Sequence, residues 1–148
     1  MNTILQTVSE YKILLIPCAA WFIAQAVKLL IALVRDRRLD VSYFWSMGGM
    51  PSAHSALVCS LATVIAIQEG FESPFFALAA FFAIVVMYDA AGVRKTVGTQ
   101  STMLNKILDE LFKGRPIVEQ RFKELIGHSR LEIFVGGLLG ILLGVWWM

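Results

Sequence analysis

Apolar residues fall into four blocks along this chain, separated by two short polar connections and one long one. Ile13 to Val34 is broken only by Gln25 and Lys28. The second block spans 51–67, the third 74–93 with Asp89 near its end, and the last 132–148. A membrane-crossing helix needs about 20 mostly apolar residues. The pattern therefore predicts an all-α integral membrane protein, a bundle of about four transmembrane helices forming one domain over 1–148. Two blocks are short, which local thinning of the bilayer or shielding by the other helices accommodates.

The long connection, 95–127, has a different pattern. "STMLNKILDELFKG" places Met103, Leu104, Ile107, Leu108 and Leu111 at helical spacing. After a break at Gly114–Pro116, "PIVEQRFKELIG" puts Val118, Phe122, Leu125 and Ile126 on one face. Both stretches predict amphipathic helices lying along the membrane surface or packing under the bundle.

Composition agrees. Of 148 residues, 57% are hydrophobic and only 16% charged, against about 25% charged in soluble domains. The net charge of +2 makes no case for nucleic acid as a partner. Cys18 and Cys59 lie inside apolar blocks and need no disulfide. The start "MNTILQTVSEYK" lacks the basic opening and small-residue cleavage site of a secretory leader, so no removal is expected. Charge placement predicts orientation. Arg35, Arg37 and Arg38 follow the first block, and eight of the 13 basic residues lie between Arg94 and Arg130. The second connection, "QEGFESP", has Glu69 and Glu72 and no cation. The positive-inside rule makes the first and third connections cytoplasmic and both termini external.

Several polar residues interrupt the greasy blocks. Lys28 either snorkels to the interface or joins Gln25, one turn earlier, in a polar stripe. Asp89 and Arg94, in "MYDAAGVRK", read as a pair tying helices together or as part of a site. In "GGMPSAHS", Ser52 is placed to cap the second helix. The same free N–H groups and the helix dipole also suit an anion. Gly48 and Gly49 let the backbone approach a ligand closely. His128 precedes the last span, with Glu132 four residues on. If the helix has begun by His128, the two share a face, either as a weak surface pair or with the carboxylate orienting the imidazole. Gly136, Gly140 and Gly144 form a smooth stripe. It packs within the monomer or, alternatively, forms a homodimer seam.

Alternating spans bring Lys28, His54, Asp89, Arg94, His128, Arg130 and Glu132 to one membrane face. Two histidines, cations and a helix N-terminus suit phosphoryl transfer: one imidazole attacks and the other protonates the leaving oxygen. No HxxxH or CxxC spacing marks a zinc site, so the expectation is no metal and no cofactor.

"GGMPSAHS", "YDAAGVRKTVGTQSTMLN" and "GHSRLEIFVGGLLG", in that order, resemble the divergent PAP2 family. These are small membrane proteins related to type 2 phosphatidic acid phosphatases and vanadium haloperoxidases. The resemblance runs from about Gln25 to Gly144. It implies a PAP2-like bundle with phosphate held by Lys28, Ser52 and an arginine. That arginine is Arg35 by K-x6-R spacing, or Arg37, which the "RRLD" motif favours. It further implies that Gly49 and Pro51 shape the P-S-x-H turn, that His54 is the general acid and that His128 is the nucleophile. Glu132 stands where aspartate is usual. The parent superfamily has an arginine six residues before that histidine; here the position is Phe122. Arg94 is its substitute, with 95–127 as an insertion and Arg121 as the alternative.

The implied function is a metal-free lipid-phosphate phosphatase of a bacterial cytoplasmic membrane, with a lipid phosphate as substrate and membrane lipid around it. A cytoplasmic site favours phosphatidylglycerophosphate; phosphatidic acid and polyprenyl diphosphates are the other substrates of this chemistry. The missing arginine supports a different class, a non-catalytic lipid-phosphate binder or scaffold. A proton-coupled transporter is the third reading, against which stands the absence of visible inverted halves.

Overall fold

The computed structural model describes residues 11–36, 49–111 and 129–148. These form five helices and, among the described residues, no strand: α1 (Lys12–Asp36), α2 (Ala53–Glu69), α3 (Pro74–Ala91), α4 (Val93–Leu111) and α5 (Arg130–Trp147). By length and composition α1, α3 and α5 can each cross a membrane. The fourth apolar helix, α2, has 17 residues. At 1.5 Å per residue it reaches about 25 Å, less than the roughly 30 Å hydrocarbon core. Its place in the bundle accommodates this, because α2 packs against α1, α3 and α5.

Helices in lipid gain little from hiding apolar surface from one another, so close packing has to come from small side chains. The buried residues follow that rule. On α1 the alanines Ala20, Ala24 and Ala32 share a buried stripe at four-residue spacing with Ile16 and Lys28, beside the buried Pro17 and Gln25. On α3 they are Ala79, Ala83 and Ala90. Ala24 meets Ala53 and Ala56, with Trp21 and Leu139 closing over them. The large apolar side chains point outward instead, among them Phe22, Leu30, Phe81, Val85, Phe134 and Trp146.

The closest packing is between α2 and α5. A Cβ on Gly136 would run into the Ser52 carbonyl oxygen, and one on Gly140 into the Ala56 carbonyl oxygen. One on Gly144 would lie 2.9 Å from Thr63 Cβ. The glycine stripe thus faces α2 of the same chain. Because rising numbers on α5 meet rising numbers on α2, the two helices run parallel. Ser52 N–H donates to the Glu132 carbonyl across this contact at 3.0 Å. Parallel packing of non-consecutive helices brings both N-termini to one end of the bundle.

Local chemistry sets the helix ends. Ser73 caps α3 by accepting from Phe75 N–H at 3.2 Å, and Pro74 begins the helix where its missing N–H costs nothing. Gly70 ends α2 at φ 87°, a backbone region open to glycine. The third helix stops at Ala91, and Gly92 is the single-residue joint to α4, its N–H bonded to Tyr88 O at 2.9 Å. The amphipathic helix expected from residue 101 starts earlier, at Val93. The second expected amphipathic stretch, from Pro116, lies outside the described residues.

Candidate functional site

The joined N-termini of α2 and α5 and the C-terminal half of α1 define one end of the bundle. Lys28 is the charged residue there that, among the described residues, is shut away from solvent, at 4% exposure. It sits on the small-residue stripe of α1, so its position in the helix aims it at the protein and not at lipid. Its stem lies along the "GGMPSAHS" turn: a Cβ on Gly49 would be 3.5 Å from Lys28 Cγ and 3.6 Å from Cδ. Gly49 has φ +93°, a conformation that side chains other than glycine adopt poorly. The glycine expected to admit a ligand therefore admits the lysine stem.

Pro51 is buried and joined to Met50 through a cis peptide bond. Ser52, fully buried, caps α2; its Oγ accepts from Ser55 N–H at 3.4 Å and from the Ser55 hydroxyl at 3.1 Å. As a hydroxyl it keeps one O–H to donate. His54 occupies the first turn of α2, half-buried. The start of α5 is held by a reciprocal pair. Ser129 Oγ accepts from Glu132 N–H at 3.3 Å, and the Glu132 carboxylate accepts from Ser129 N–H at 3.1 Å. This capping box was legible as S-x-x-E at 129–132. The described helix begins at Arg130; the expected pairing of His128 with Glu132 involves a residue outside the described ones.

Each helix N-terminus carries roughly half a positive charge. Two of them side by side, bridged by the Ser52–Glu132 backbone bond, together with the Lys28 ammonium, make this end of the bundle favourable to an anion. Glu132 already places one carboxylate at the α5 start. One turn from Lys28, Gln25 is also buried, and its Oε1 has no hydrogen-bond partner among the described residues.

Asp89, near the end of α3, is exposed. Arg35 belongs to the last turn of α1 and Arg94 to the first turn of α4. Arg37 and His128 lie outside the described residues, as do Arg121 and Phe122. Among the described residues no three His, Cys, Asp or Glu side chains come together as metal ligands. Sequence reasoning missed the receiving face of α2, namely Ser52, Ala56 and Ser60, all buried. Their four-residue spacing matches that of the glycines and was the signal available.

An all-helical membrane protein with an anion-favouring end built from a buried lysine and two helix starts is the class that the fold and this site define. Residues 9–143 match the divergent PAP2 family, and the chain belongs to it. It is 40% identical over 141 residues to the uncharacterized membrane protein YuiD of Bacillus subtilis (strain 168), covering 88% of this chain and 89% of that protein. No solved structure matches.

Proposed function

We propose that this protein is a metal-independent lipid-phosphate phosphatase. The observation that carries the reading is the packing of the buried Lys28 stem against Gly49, which sets a cation beside the P-S-x-H turn. Lys28 and the N–H groups of the α2 and α5 starts hold the phosphate oxygens. An arginine, Arg35 or Arg37, with Arg94 as substitute for the superfamily arginine that Phe122 replaces, completes the charge neutralisation. The His128 imidazole attacks phosphorus while the bond to the leaving oxygen breaks, and His54 gives that oxygen its proton. Water then attacks the phosphohistidine, the now neutral His54 takes its proton, and inorganic phosphate leaves. The apolar surface of the bundle keeps the substrate's acyl or prenyl chain in lipid while the headgroup reaches the site.

Phosphate release from phosphatidylglycerophosphate, phosphatidic acid and a polyprenyl diphosphate tests this. Purified protein in detergent, with chelator present, is expected to hydrolyse at least one of them. Binding of all three without turnover would replace the reading by the second one, a lipid-phosphate binder or scaffold. That second reading is favoured by Phe122 standing where the superfamily has an arginine.

Sidedness narrows the substrate. The first and third connections hold 11 of the 13 basic residues, and the second holds Glu69 and Glu72, which supports a site facing the cytoplasm and hence phosphatidylglycerophosphate. Glu72→Cys and Lys113→Cys, each alone in a background lacking Cys18 and Cys59, report this in intact cells. An impermeant thiol reagent is expected to label position 72 and spare 113. The reverse pattern would turn the site outward and point to recycled polyprenyl diphosphates.

A further inference from the structure

The fourth helix is inside out. Its half-buried positions are Gly98, Ser101, Thr102, Asn105 and Leu108, small or polar except for the last. Three of its large apolar residues face away from the protein, Met103 at 60% exposure, Leu104 at 45% and Ile107 at 50%. In water an amphipathic helix turns the other way, apolar stripe against the core. This arrangement is stable only where the outside is apolar.

The helix cannot supply a further span, since Arg94, Lys95, Lys106, Asp109 and Glu110 are distributed along it. It touches only α3 among the described helices. It is joined to α3 through the single residue Gly92, one turn beyond the outward-facing Tyr88, which with Val85 is 78% and 64% exposed. It also leaves the bundle at the end that holds Lys28 and Ser52. Met87, one turn before the joint, lies 3.9 Å from a Cβ on Gly137 in the second turn of α5.

We propose that α4 is an interfacial helix whose Met103–Leu104–Ile107 face is embedded at the headgroup–acyl boundary of the bilayer, in the leaflet that faces the Lys28–Ser52 end. The lipid surface is its occupant because α4 follows membrane-facing α3 after the single residue Gly92 and turns its polar side inward. A helix lying there anchors the site at headgroup depth, independent of which reaction the site performs.

Nitroxide labels on single cysteines test this in full-length protein lacking Cys18 and Cys59, reconstituted in phosphatidylcholine–phosphatidylglycerol vesicles. Positions 103, 107 and 106 are labelled, with 81 on α3 as the lipid-facing reference. Labels at 103 and 107 are expected roughly 5–10 Å below the phosphates, more accessible to oxygen than to a water-soluble nickel chelate. The label at 106 should show the opposite preference. Nickel accessibility at 103 and 107 equal to that at 106 would put the face in water and end the proposal. Spin–spin broadening at 107 that disappears on dilution with unlabelled protein would assign the face to a second copy instead. A measurement on the unsubstituted protein gives the same decision: a diazirine-bearing phosphatidylcholine should photolabel Met103 or Ile107 as well as α3, and labelling of α3 alone would overturn it.

Discussion

Gly140→Leu is expected to leave no folded protein: a monodisperse detergent peak for the parent and aggregate or no yield for the variant. A Cβ at this position meets the Ala56 carbonyl oxygen and lies 2.9 Å from Ala56 Cα. Both are backbone atoms of a helix held on three sides, so no rotamer change relieves the collision. Overpacking an ordinary core costs about 1–3 kcal/mol. Here the whole α2–α5 contact must open, with loss of the Ser52–Glu132 backbone bond and the tight fits at Gly136 and Gly144. Against a total stability of roughly 5–15 kcal/mol, that is enough to abolish the fold. Gly140→Ala should already lower the melting temperature. Leu138→Ala, at a side chain 47% exposed to the exterior, should change it little. A Gly140→Leu protein that stayed folded and merely lost a dimer would mean that the stripe serves a second copy.

His128→Ala is expected to remove at least about a thousandfold of phosphatase activity, because a covalent route has no substitute once its nucleophile is gone. His54→Ala should cost about 100- to 10,000-fold, the usual range for a general acid. The two differ in leaving-group dependence. Losing His54 should hurt a poor leaving group, such as a lipid alkoxide, far more than an activated aryl phosphate. Losing His128 should hurt both alike. Acid-labile, base-stable phosphoryl-protein should form in the parent and be absent from His128→Ala. Normal turnover by His128→Ala would sink the phosphohistidine mechanism.

Much of this protein is determined by its sequence alone. Runs of apolar residues near bilayer length dictate helices, since a backbone in lipid must satisfy its own hydrogen bonds. Ser52 before α2, Pro74 at the start of α3 and the glycines after α2 and α3 mark the ends by local rules that need no tertiary partner. The P-S-x-H turn is equally local, and so was readable as a candidate site. What the tertiary structure alone decided is which elements meet, and how. Lys28 had two readings at the level of sequence, because snorkelling and burial use the same residue at the same helical position. The contact of its stem with Gly49 separates them. The glycine stripe had two readings because a smooth helix face suits any partner; in the fold it lies against the matching small face on α2. The apolar stripe of α4 was plain in the sequence, but a helical period carries no information about which way the face turns. That depends on what surrounds the helix, and only the folded chain shows the polar side turned in and Met103 and Ile107 turned out.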